Sequence, residues 1–354
     1  AGMNINSGDA SNTIAIGTNA GIDITSGQRN LLIGSEAGTN ISTSDDNTAI
    51  GYNAMHGNDS TAGTGTGKNT AIGYQSMYSV TTGHENTAMG YKAAYSLTTA
   101  DNNVVIGFET GYSLTTARYN VLIGDQAGYS LSTTSDNNEN VMIGNAAGQY
   151  ADAATNAAHY NVYVGSGAGR YMDDGDSNVY IGREAGKGSG TGNNATQNIL
   201  IGYQAGFVVT TGDNNVAVGY QALDANTIGA DNVAIGSGAL TTEDVGDRAI
   251  AIGSHALALQ NSDSNNEANA NIGVGYASGY YNVTGIYNTY IGYYAGAGAS
   301  GQSNSYNTAV GYEALKVVTT GGNNVAVGYQ ALNAITTGTS TALGYQAAYS
   351  TTSG

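Results

Sequence analysis

A glycine preceded by an aliphatic residue returns through this chain at a nearly fixed interval, and no other feature constrains the fold as strongly. The glycines are Gly17, Gly34, Gly51, Gly73, Gly90, Gly107, Gly124, Gly144, Gly165, Gly182, Gly202, Gly219, Gly236, Gly253, Gly275, Gly292, Gly311, Gly328 and Gly344. Eleven of the eighteen spacings are 17 residues, and the others lie between 16 and 22. A short period with small insertions, sustained through a chain, is the signature of a solenoid whose insertions map to loops.

Positions are counted from the anchor glycine. Residue −1 is Ile, Val or Leu in every repeat except at Met89, and residue −3 is always Val, Ile, Leu or Thr. Residues two apart share one side of a strand, and β-branched side chains favour strand over helix. Residue +3 is Ala in sixteen repeats, with Ser76, Thr110 and Ser278 as the exceptions, so it packs closely against other backbone. Ten repeats carry a larger apolar residue at +7, among them Ile24, Leu97 and Val318. Each repeat therefore reads as one coil: a strand, a tight turn at the anchor, a second short strand and a polar loop. The −3 and −1 pair is expected to fill the coil.

The expected fold is all-β: a parallel β-solenoid of about nineteen coils with a 17-residue period. Residues 1–354 are expected to form a single continuous domain, with no separate second domain. At about 4.8 Å of rise per coil, the rod would be on the order of 90 Å long. Composition agrees with a thin core. The chain has 54 Gly and 27 Tyr, two Phe and no Trp, with hydrophobic residues at 40%. Their periodicity excludes disorder, which Gly, Ser and Asn alone would suggest. Both ends fall within a coil, so the expectation is a segment of something longer, or ends covered by another subunit.

Residue −4 is Asn in sixteen repeats, which stacking would align as an amide ladder; Asn69, Asn86, Asn103, Asn120, Asn215 and Asn232 are representative. Residue +1 is Tyr in ten repeats and Phe108 in another. Tyr78, Tyr95, Tyr112 and Tyr129 form a second run at +5. Aromatic stacking ladders explain both runs better than ligand sites do.

The stretches Asn69-Thr70-Ala71-Ile72-Gly73-Tyr74-Gln75 and Asn215-Val216-Ala217-Val218-Gly219-Tyr220-Gln221-Ala222 resemble the YadA-like head repeats of trimeric autotransporter adhesins. They are also similar to repeats of phage tail-fibre-type proteins. The resemblance covers essentially the whole chain. It implies a left-handed β-roll, three chains around a threefold axis, and display outside the cell, on a cell surface or as a virion appendage. The 17-residue period is longer than is typical of adhesin heads. No coiled-coil stalk, membrane-anchor barrel or self-cleaving chaperone domain is recognisable.

Residue −2 faces opposite to the −3 and −1 pair. It is Ala in ten repeats but large in a successive run, Val105, Leu122, Met142, Tyr163, Tyr180 and Leu200. That stripe is expected to be a chain–chain interface, because exposed apolar patches of this extent are uncommon.

Little in the sequence points to catalysis. His56, His84, His159 and His255 occupy unrelated repeat positions without a second ligand at metal-site spacing. The acidic clusters Asp173, Asp174 and Asp176, and 263–267, offer oxygen ligands for Ca²⁺ but match no calcium-loop spacing. A solvated loop is the preferred reading of both, and no metal or cofactor is expected. A net charge of −17 argues against nucleic acid and anionic membranes as partners. No apolar run approaches the roughly 18 residues of a membrane-spanning helix, so no membrane insertion is expected.

The function expected is a non-enzymatic extracellular structural or adhesive fibre segment, an adhesin head or a tail-fibre shaft. Its partners are itself, as a homotrimer, and a surface glycan or surface protein. Contact is expected at the insertions 56–68, 132–139, 150–159, 187–197, 260–270 and 298–305. The alternative is a filament subunit stacking end to end without a specific receptor.

Overall fold

A computed structural model describes residues 12–57, 67–131, 139–151, 158–190, 192–262, 268–301 and 303–353. Parts of all six insertions, the acidic cluster 263–267 and the first eleven residues lie outside the described residues. The chain divides into two compact units, Ala1–Asn178 and Val179–Gly354. Each is a parallel β-solenoid, and no helix occurs among the described residues.

The first unit contains nine three-residue strands, from β1 (Ile14–Ile16) to β9 (Val162–Val164). Within the unit, successive strands pair in register one coil apart, as Val104, Val105 and Ile106 pair with Val121, Leu122 and Ile123. The second unit repeats the arrangement with ten strands, from β10 (Val179–Ile181) to β19 (Thr341–Leu343). There Val216, Ala217 and Val218 pair with Val233, Ala234 and Ile235. The common interval between β-branched triplets makes this register the one that stacks like on like.

The expectation for the strand faces is reversed. Residue −2 points into the coil, and the −3 and −1 pair points out. Val105, Leu122, Met142, Tyr163 and Tyr180 are fully buried within their own chain, and Leu200 is nearly so. They are core residues, which removes them as a chain–chain interface. Parity showed that −3 and −1 share a face but not which face. The Asn at −4 has the parity of −2, and its amide is hydrogen-bonded where it is buried.

A second correction concerns the segment after the anchor, which runs as consecutive turns and not as a short strand. Residues +2 and +4 both adopt left-handed backbone, as in Lys92 (φ 52°) and Ala94 (φ 51°). Alternate left-handed residues bring the chain around sharply, and Ala93, Ala94 and Leu97 are buried, as Ala88 is. The anchor itself tolerates no side chain. Gly107 has φ +138°, and a Cβ there would sit 2.4 Å from the carbonyl oxygen of Gly124.

Inside the coil, residues −2 and +4 exchange volume. In seven of the ten coils whose strand centre is Ala, +4 is Met or Leu, as in Ala71 with Met77 and Ala217 with Leu223; the others pair Ala15 with Gly21, Ala88 with Ala94 and Ala342 with Ala348. Where the centre is large, +4 is Gly, as in Leu122 with Gly128, Tyr163 with Gly169 and Tyr290 with Gly296. The two side chains compete for one space, and close packing admits one of them.

Candidate functional site

The Asn ladder is the interior polar seam. Asn103 Nδ2 donates to Asn86 Oδ1 at 3.0 Å and to the Ala117 carbonyl at 2.8 Å. Asn103 Oδ1 accepts from the backbone N–H of Asn120 at 3.0 Å and from Asn120 Nδ2 at 3.0 Å. Asn86 repeats the pattern, its Nδ2 donating to Asn69 Oδ1 at 3.1 Å. In the second unit Asn232 donates its backbone N–H to Asn215 Oδ1 at 3.0 Å, and its Nδ2 to the Gly246 carbonyl at 2.8 Å. Each Asn thus ties its strand both to the neighbouring coil and to a loop. This seam is structural.

The acidic candidates do not converge. Asp176 Oδ1 accepts from the backbone N–H of His159 at 2.8 Å. Asp45, Asp101, Asp213 and Asp247 accept the same bond from the coil before theirs. Asp176 therefore sets loop register, while Asp173 and Asp174 lie three and two residues before it. Among the described residues, no three His, Asp or Glu side chains come together in a way that would hold a metal ion. His56 stacks on Tyr78 with ring centroids 4.9 Å apart, and His84 lies 3.5 Å from Asp101.

What the reversal of the strand faces creates is an outward aliphatic stripe on each unit. It includes Ile14 and Ile16 in the first unit, 54% and 53% exposed, and Ile235, Ile252 and Ile291 in the second, near 40%. Thr48, Thr70 and Thr87 extend it as half-buried residues. Beside it run the aromatic ladders. Tyr74, Tyr91 and Phe108 stack at 5.2 and 5.1 Å with planes 8° apart. Tyr293, Tyr312 and Tyr329 stack at 5.2 and 5.1 Å. The +5 run of Tyr78, Tyr95, Tyr112 and Tyr129 stacks at 5.0–5.1 Å. Lys92 lies 5.4 Å above the Tyr95 ring. Parallel rings in such ladders cover each other's faces and leave only their edges and hydroxyls to solvent.

Two groups stand out that the repeat counting did not single out. The +7 position, aliphatic in most coils, becomes a buried polar file of Asn226, Glu243, Gln260 and Asn282. Glu243 Oε1 accepts from the backbone N–H groups of Gly246 and Ser262 at 2.8 and 3.1 Å. Its Oε2 accepts from Asn269 Nδ2 at 2.9 Å. Burial nevertheless raises its pKa above the ordinary 4.5, because these bonds offset only part of the lost hydration. The second group is a cavity of about 230 Å³ lined by His255, Tyr276, Ala277, Tyr280, Tyr281 and Tyr294. The sequence signal for both was departure from the repeat consensus.

No protein-family model matches the chain. No curated protein matches it either.

Proposed function

We propose that the chain is a non-enzymatic structural and adhesive fibre segment whose copies associate through the outward aliphatic stripe. The observation that carries the reading is that stripe: strand after strand presents half-exposed Ile, Val, Leu or Thr at −3 and −1. A soluble chain seldom leaves so extended an apolar face to water, and covering it with another copy would relieve that cost. The likeness of the repeats to YadA-like heads and tail-fibre repeats supports a threefold arrangement and display outside the cell. The net charge of −17 keeps assembled copies soluble. In this reading the insertions are the variable elements that attach to a glycan or a surface protein. The solenoids beneath them supply a rigid support.

The absence of Cys makes the test direct. Ile235→Cys places a thiol on the outward face, half-exposed in the single chain. The proposal predicts that a thiol reagent labels it slowly in the assembled protein and rapidly after dissociation in mild denaturant. Rapid labelling at every concentration would contradict it. Attachment is tested separately, by cell- and glycan-binding assays on variants with shortened insertions. Loss with one insertion and not the others would identify the contact; binding unchanged by every shortening would contradict the adhesive role.

A further inference from the structure

The ladder that runs through Tyr345, Tyr329, Tyr312 and Tyr293 has an open end at Tyr276. Tyr276 stacks on Tyr293 at 5.3 Å with planes 17° apart. On its other side the preceding coil carries Ser254 at +1, so no ring stacks parallel on that Tyr276 face; the ring that coil does bring near, His255 at +2, stands edge-on. Around this ring the other aromatics stand tilted or edge-on. Tyr294 lies 5.4 Å away at 77°, and His255 lies 6.3 Å away at 63°. His255 is also 6.2 Å from Tyr280 at 42°, and Tyr280 meets Tyr281 at 4.7 Å and 78°. These rings and Ala277 line an open cavity of about 230 Å³.

The cluster exceeds what ladder stacking requires. Residue +2 sits in left-handed backbone and is Asn, Gln, Glu, Gly, Ala or Lys in seventeen repeats. Only His255 (φ 58°) and Tyr294 (φ 51°) put a ring there, and both line this cavity. The positions are fixed by the coil backbone: His255 N–H donates to the Ser237 carbonyl at 2.9 Å, and Tyr294 N–H to the Tyr276 carbonyl at 3.0 Å.

We propose that this aromatic cage binds a trimethylammonium cation, seated on the open face of Tyr276 and walled by Tyr280, Tyr281, Tyr294 and His255. The chemistry follows from the lining. Tyrosine faces carry negative potential and attract a cation within about 6 Å of the ring centroid. No Lys, Arg, Asp or Glu lines the cavity to repel the ligand or bind it as an ion pair. A trimethylammonium cation needs no hydrogen-bond acceptor and can be held by ring faces alone. The cluster already holds one cation: Lys316 Nζ lies 5.4 Å over the Tyr294 ring, its charge offset by Glu313 at 2.6 Å. The cavity is also smaller than the ~300–1,000 Å³ of drug-sized pockets, which suits a compact head group. The site is independent of the fibre reading.

The test is titration of the full chain with choline, followed by tyrosine fluorescence and calorimetry. Three parallel probes are 3,3-dimethylbutan-1-ol, its uncharged carbon isostere, a methyl glucoside, and phosphatidylcholine vesicles. Saturable choline binding at least tenfold tighter than the neutral isostere supports the cage. Vesicle binding in addition shows that a lipid-borne head group also enters, which supports it too. Equal binding of the isostere, binding of the sugar alone, or no saturable choline binding overturns it. These arms need no variant. Tyr294→Gln, which installs the residue found at this turn in Gln204 and Gln221, should weaken choline binding at least tenfold. Tyr91→Leu, on a ladder of the first unit, should leave it unchanged.

Discussion

A Cβ on Gly186 would sit 2.4 Å from Cδ2 of Tyr180, the buried centre of its own coil's strand. One interior site is filled either from the strand or from the turn that faces it. Gly186 has φ +53°, a conformation that Ala94 and Leu223 hold in other coils, so the clash dominates over backbone strain. Gly186→Ala should destabilise by about 1–3 kcal/mol through overpacking. Tyr180→Ala should cost about 3–5 kcal/mol through the cavity it leaves. The double variant Tyr180→Ala with Gly186→Leu reproduces the pair Ala217 and Leu223 and should recover much of the loss. Urea unfolding of the natural protein, Tyr180→Ala, Gly186→Leu and the double variant gives the coupling energy; additivity within about 0.5 kcal/mol would contradict the shared space.

The ladder predicts a second cost. Asn103→Ala removes the acceptor of the Asn120 N–H and the donor to the Ala117 carbonyl, both buried. Each orphaned group costs about 1–3 kcal/mol, so the loss should exceed that of an ordinary surface substitution severalfold. Hydrogen exchange should show the Asn120 amide losing protection first. Protection unchanged at Asn120 would mean that the seam contributes little.

Glu243 gives the chain a pH signature. Its folded pKa lies above the ordinary 4.5, so between that value and the raised one the folded state binds more protons than the unfolded state. The contribution to stability is therefore full below pH 4.5 and is lost as pH rises through the folded pKa. Glu243→Gln keeps an acceptor for Gly246 and Ser262 and cannot ionise. Asn269 Oδ1, buried without a partner, can accept the new amide if the Asn269 side chain turns over. The stability of the natural protein relative to this variant should fall from acid to neutral pH. A flat or rising difference in urea midpoint would refute the assignment.

Much of this fold was legible in the sequence. Period, strand positions, parallel stacking and coil number followed from anchors such as Gly90 and Gly107 and from β-branched residues before them. The orientation of the strands was not, because parity groups Val104 with Ile106 without saying which side is inside. The deciding signal was present but long-range within the coil: a large residue at −2 always comes with Gly at +4. The segment after the anchor was misread as strand because apolar spacing does not report left-handed backbone at Lys92 and Ala94. The aromatic cage was hidden for another reason. Its residues come from three coils, and only their departure from the consensus at His255 and Tyr294 marks it.

The outward stripe makes the remaining prediction. Ile235→Glu with Ile252→Glu places two carboxylates on a face that is partly exposed in the single chain. The two carboxylates sit in register on adjacent strands and repel each other, so the fold should lose about 1–2 kcal/mol and remain folded. Association should be lost, because desolvating two unpaired carboxylates at an interface is costly.

Light scattering coupled to size exclusion, run on the natural protein and on this double variant, tests the central claim most directly. The account predicts three chains of 35.7 kDa, about 107 kDa, for the natural protein and a single chain for the variant. A natural protein that is a single chain at every concentration, or a variant that assembles unchanged, would contradict it.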